Sequence, residues 1–169
     1  LFPYTTLFRS GVMTPEVLWK FRRLSDPQLS PDGQNVLFGL TVYDAPTNKS
    51  KTEIYMIPFS GGEAKKVLDL NGSQFNQRWL NNDQFAFIST HEGSAQVYKT
   101  AVKDGNVQKV TDIEAGINSF EYSPDASKLL YTKEVKVVKD LEDKYPDLPK
   151  ANAIAADDLM YRHWDHWYD

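Results

Sequence analysis

An all-β chain, built as successive blades of a β-propeller, is the fold class this sequence predicts, and three observations carry it. A polar turn followed by an apolar strand ending in an aromatic occurs three times, as LSPDGQNVLF to Phe38, RWLNNDQFAF to Phe87 and YSPDASKLLY to Tyr131. Independently, Tyr55, Gly62 and Val67 recur as Tyr98, Gly105 and Val110, each 43 residues on. The strands themselves carry apolar residues on both faces, as sheets covered on both sides require. A period of about 40–50 residues with four short strands per unit marks propeller blades.

The elements follow in order. Leu1 to Ser10 reads LFPYTTLFRS with no initiating Met. It resembles the translated remnant of a sequencing adapter and is set aside from the fold as a non-native segment; the other reading is a genuine extended segment. Thr14-Pro15-Glu16 starts a helix, because Thr14 can cap and proline suits the first helical position. The spacing of Val17, Phe21 and Leu24 extends that helix over about 15–23, with those residues as its packing face.

The first unit covers about 26–70, with strands near 26–30, 35–43, 52–59 and 64–68. In NVLFGLTVY (35–43) Val36, Phe38, Leu40 and Val42 share one face, and Leu37, Gly39, Thr41 and Tyr43 the other. Ser30-Pro31-Asp32-Gly33 is its turn: proline presets φ, aspartate bonds its own backbone and glycine accepts positive φ. Asp44 to Ser50 is a polar hairpin loop, and Ser60-Gly61-Gly62 another turn. The second unit covers about 74–112, with strands near 75–80, 84–90, 95–102 and 107–111. Its register is looser by one residue, since LNND lacks the proline and glycine of SPDG. The third covers 116–169 incompletely, with strands near 117–122 and 128–138. Lys139 to Lys150, interrupted by Pro146 and Pro149, reads as an insertion. Asp157 to Tyr168 then reads as a helix with Met160, Trp164 and Trp167 on one face. About two and a half blades are present, against roughly 4–8 in a closed ring, so 11–169 is expected to be a truncated propeller domain.

Composition narrows the function. Net charge is −4, whereas a nucleic-acid binder shows a basic face. With no cysteine there is no disulfide framework and no thiolate metal site. No apolar run approaches the ~20 residues needed to span a bilayer. The G-x-S-x-G turn of an α/β-hydrolase nucleophile is missing from the sequence. Gly72-Ser73 and Gly93-Ser94 sit at inter-strand turns instead. His91 falls in a loop, and His163 and His166 in the last few residues, so no triad assembles. His163-x-x-His166 is spaced three apart, not the four that places two imidazoles on one helix face. Neither a metal nor another cofactor is expected. The run Tyr161 to Tyr168 interleaves aromatics with Arg162 and Asp165; it fits a packing surface or a ligand contact.

The SPDG repeats, the stretch TPEVLWKFRRLSDPQLSPDG (14–33) and KYPDLPKANAIAADDLMYRHWDHW (144–167) resemble the prolyl oligopeptidase family of serine peptidases. Within it they are similar to the dipeptidyl-peptidase 5-like and acylaminoacyl-peptidase-like branch, over nearly everything from Met13 to Asp169. The resemblance implies WD40-like propeller blades gating peptide access to a C-terminal α/β-hydrolase domain with a Ser-Asp-His triad. That domain is absent from this sequence, so the resemblance assigns no catalytic residue here, and the chain alone is expected to be inactive. Peptides are the implied partners, together with the hydrolase domain; the resemblance leaves the oligomeric state open. It also implies a periplasmic or secreted protein, although no signal peptide is present. Arg162, His163, Trp164, Asp165 and Trp167 become candidates for substrate binding. The SPDG units alone fit equally well a non-catalytic TolB-like propeller serving as a protein-interaction scaffold.

Overall fold

A computed structural model describes residues 13–137 and 141–147. The chain divides into two compact units, with the boundary after Glu134. In the second unit the described residues include a single helical turn, Leu141–Lys144, and an ion pair of 2.6 Å between Lys136 and Asp143. The helix predicted over 157–168 lies outside the described residues.

The first unit opens with α1 (Pro15–Lys20). Thr14 caps it, its hydroxyl accepting the Val17 N–H at 3.3 Å. The helix stops three residues short of the expected end, and none of its residues is buried. The reason is tertiary: Arg23 and Leu24 are taken into a strand, pairing with Thr41 and Leu40. Val17, Phe21 and Leu24 therefore form no packing face and remain exposed. Trp19 supplies the contact instead, edge-on to the Tyr43 ring at 6.0 Å.

Among the described residues ten strands follow, all antiparallel, in three sheets. The first sheet is β1 (Arg23–Leu29), β2 (Asn35–Asp44), β3 (Lys49–Pro58) and β4 (Lys65–Lys66), in that spatial order. The second is β5 (Gln74–Trp79), β6 (Gln84–Ser89), β7 (Gln96–Ala101) and β8 (Val107–Lys109), again in sequence order. The third pairs β9 (Ser119–Tyr122) with β10 (Leu129–Thr132). The expected strand over 128–138 ends at Thr132, and residues 133–137 have no regular structure.

Turn chemistry explains the spacing between strands. Ser30 donates to Asp32 at 2.6 Å and accepts the Asn35 N–H, while Asp32 accepts the Gln34 N–H. The third repeat copies this with Ser123, Asp125, Ser127 and Lys128. Hydrogen bonds from Ser123 and Ser127 hold Asp125 at a pKa of about 2, below its usual 3.8. Stability from this turn is complete above the ordinary value and lost as pH falls through the folded one. In the second repeat Asn81 does the work alone, its side chain accepting the N–H groups of both Asp83 and Gln84. That turn is one residue shorter, which accounts for the looser register of LNND.

Packing alternates along the strands. On one face of the first sheet Leu37 and Ile54 meet Phe85, Phe87 and Tyr98 of the second. On the opposite face of the second sheet Ala86, Ile88 and Val97 meet Ile117 and Phe120, with Leu129 packed against them. β6 is thus buried on both faces, as its apolar pattern predicts.

Candidate functional site

Strands β1, β5 and β9 open the three sheets, and β5 lies against both of the others. Because each belongs to a separate sheet, no backbone ladder joins them. β1 and β5 carry the same irregularity: each ladder shifts register, between Ser25 and Gln28 and between Phe75 and Arg78. Asp26 (φ 47°) and Asn76 (φ 55°) sit at these bulges in left-handed conformation. Asp and Asn tolerate that region better than other side chains. A bulge re-aims the residues around it, and here it turns β5 side chains sideways onto both neighbours.

Four consecutive β5 residues make those contacts. Asn76 donates to the Phe120 carbonyl at 3.1 Å, and Gln77 to the Asp26 carbonyl. Arg78 donates through Nη1 to Asp26 Oδ2 at 2.6 Å and through Nε to Glu121 Oε1 at 2.7 Å. Trp79 Nε1 donates to the Gln28 carbonyl at 3.0 Å. Burial works against the charge on Arg78, yet the Glu121 and Asp26 carboxylates push its pKa above the usual value. Beside this row opens a cleft of about 210 Å³, lined by Gln28, Arg78, Trp79, Glu121, Tyr122 and Pro124.

A larger groove, about 660 Å³, lies where the β2–β3 hairpin overhangs the start of β5. Lys49, Lys51 and Glu53 line one side, Ser73 and Thr90 the other. Lys51 is occupied there, by Glu53 at 2.9 Å and the Leu70 carbonyl at 3.1 Å.

The fold also gathers Ser89, His91 and Glu92. His91 Nδ1 lies 3.0 Å from Ser89 Oγ, and its ring centroid 4.5 Å from that of Tyr98. This cluster is not a hydrolytic triad. Ser89 is fully buried, so its hydroxyl cannot reach a substrate, and Glu92 stands 3.7 Å from His91 Nε2, beyond a hydrogen bond. Glu92 instead accepts from Tyr98 at 3.0 Å. Among the described residues no group of His, Asp and Glu is arranged to hold a metal ion.

The substrate-binding candidates Arg162, His163, Trp164, Asp165 and Trp167 lie outside the described residues. The row on β5 was not singled out from sequence. Its signals were present: Asp26 and Asn76 are left-handed-tolerant residues at matching places in two repeats, and Arg78 sits in a strand with buried neighbours.

No family model matches the chain. Dipeptidyl-peptidase 5 of Porphyromonas gingivalis is 34% identical over 158 residues, 93% of this chain and 23% of that protein. The dipeptidyl-peptidase 5 of Porphyromonas endodontalis is 31% identical over 162 residues, 95% of this chain and 23% of its own. The chain is homologous to part of dipeptidyl-peptidase 5. Membership in the prolyl oligopeptidase family, expected from the SPDG repeats and the 144–167 stretch, is in keeping with this relation. The chain spans less than a quarter of the length of these relatives. Among solved structures, the acylaminoacyl peptidase of Pyrococcus horikoshii superposes with TM-score 0.55 at 25% identity, over 68% of this chain and 17% of that one. The β-propeller domain of the Trilobed protease from Pyrococcus furiosus does so with TM-score 0.51 at 22%, over 66% and 34%. TolB from Acinetobacter baumannii gives TM-score 0.57 at 23%, over 68% and 27%. The last two likenesses concern the fold, and they agree with the all-β reading.

Proposed function

We propose that this chain is the propeller portion of a serine exopeptidase of dipeptidyl- or acylaminoacyl-peptidase type. In this reading the two four-stranded sheets are complete blades, and the two-stranded sheet begins a third. The blades restrict entry to an α/β-hydrolase domain outside this sequence, so that peptides are admitted and folded proteins excluded. The observation that carries the reading is homology to dipeptidyl-peptidase 5 along 93% of the chain. The burial of Ser89 supports its corollary, that the chain alone cleaves no peptide. Arg162, His163, Trp164, Asp165 and Trp167 would contact substrate where blade and hydrolase domains meet. The periplasm or the exterior is the compartment that fits such an enzyme.

The test begins by following the reading frame past the Asp169 codon and expressing the whole protein. Release of dipeptides or acylated residues from peptide N-termini, with labelling of one serine by a fluorophosphonate, is the expected result. A frame that closes the propeller without a hydrolase domain would instead leave a scaffold, the alternative that the SPDG units fit equally well.

A further inference from the structure

The three sheets need something other than backbone pairing to hold their opening strands together. Hydrophobic cores join the sheets through their faces, and the opening strands contribute to them: Trp79 of β5 packs against the first core, and Phe75 of β5 with Phe120 of β9 belong to the second. Beside these apolar contacts the opening strands share a row of polar contacts, concentrated on Asn76 to Trp79. Gln77 and Trp79 reach only the first sheet, Asn76 only the third, and Arg78 reaches both.

We propose that this row is an asymmetric latch with Arg78 at its centre, and that it releases the third sheet before the first. The asymmetry is visible in solvent exposure. The side chain of Arg78 is 22% exposed and that of Asp26 33%, whereas that of Glu121 is 59% exposed. Water and salt weaken an ion pair in proportion to its exposure. The Arg78–Asp26 arm is backed by two further hydrogen bonds to the first sheet, from Gln77 and Trp79. The Arg78–Glu121 arm is backed by one further hydrogen bond, from Asn76 to the Phe120 carbonyl, beside the burial of the Phe120 ring. Arg78 suits this role because its planar fork can satisfy two carboxylates at once, which lysine cannot do with fixed geometry. A latch of this kind lets β5 and β9 part while β1 and β5 stay joined.

Hydrogen exchange on the chain tests this directly. In Glu121→Gln the amides of Ser119–Tyr122 and Leu129–Thr132 should exchange roughly fivefold faster, the effect of losing one charge-assisted bond. Those of Arg23–Leu29 should be unchanged. Raising salt to about 1 M on the unaltered chain should reproduce the same pattern, because screening acts over about 3 Å there. Arg78→Met should speed exchange in both regions, and Arg78→Lys should restore neither arm fully. Equal acceleration across β1, β3 and β10 in Glu121→Gln would show general destabilisation and overturn the latch. So would exchange in β9 and β10 that neither salt nor Glu121→Gln alters.

Discussion

The first and second sheets are two copies of one repeat, yet they meet different surroundings. In the first, Phe38 stacks on Tyr55 with centroids 6.1 Å apart and 25° between planes; in the second, Phe87 stacks on Tyr98 at 6.1 Å and 29°. The first sheet covers Phe87 and Tyr98 completely. The matching face of the first sheet is less covered: Phe38 is 7% exposed, and beside it Leu24 is 62% and Leu29 52% exposed. Two residues before the repeated tyrosine the sequences diverge to match. Glu53 occupies that position in the first sheet, paired with Lys51 and Lys66 at 2.9 Å. Lys66 chiefly, then Lys51, holds its carboxyl below the usual range. Gln96 occupies it in the second, buried, with its amide donating to Ser94 and the Ile113 carbonyl and accepting from Thr111 and the Ile113 N–H. A covered position takes a neutral, fully hydrogen-bonded group, while an uncovered one keeps its charges in contact with water.

The comparison breaks or sharpens under substitution. Phe87→Ala should cost about 3–5 kcal/mol in chemical denaturation, the usual loss for a buried aromatic. Phe38→Ala should cost less, about 2–3 kcal/mol, since Phe38 is buried but its neighbours Leu24 and Leu29 are open to water. Equal losses would mean that both faces are covered alike in solution. A smaller contrast comes from exchanging the polar groups. Gln96→Glu removes two donors and buries a charge, and should destabilise by about 2–3 kcal/mol. Burial would raise the new carboxyl's pKa, so the penalty should shrink as the buffer is acidified; a pH series of denaturation midpoints reads this. Glu53→Gln should change stability by less than about 1 kcal/mol, as for other solvent-touching ion pairs. An effect of opposite sign is expected at the turns. Ala126 adopts φ 54° where Gly33 of the first turn adopts 71°. Ala126→Gly should therefore stabilise by about 1 kcal/mol, visible as a rise in Tm.

Much of the fold was legible because each signal was local. The aromatic at the end of each second strand and the Ser–Asp turns are short-range features, and the strands appear within three residues of their expected ends, except that β10 stops six residues early at Thr132. What was not legible depended on distant partners. Arg22 to Leu24 continue a helical spacing, but β2 claims Arg23 and Leu24 for a sheet. The bulges hide the row on β5 for a different reason. Leu24 pairs with Leu40 and Leu29 with Val36, so both lie on one face although they are five residues apart. Simple alternation would put them on opposite faces, and it misplaces Gln77 and Arg78 in the same way. Of the site predicted from sequence, the stretch 162–167 lies outside the described residues, while Arg78 emerged only once three strands were placed side by side.

The Asn81 turn has an evolutionary consequence. Its side chain closes the loop onto its own backbone with one residue fewer than the Ser–Asp turns use. Because each loop is sealed internally, the strand beyond it restarts its in-and-out pattern from its own first pair, Gln84 with Ala101 or Asn35 with Pro58. A single-codon deletion at this point leaves every downstream side chain on its proper face. Duplicated repeats can thus drift in length at their turns while their cores stay interchangeable, and an array of such units can diverge widely in sequence without losing its architecture.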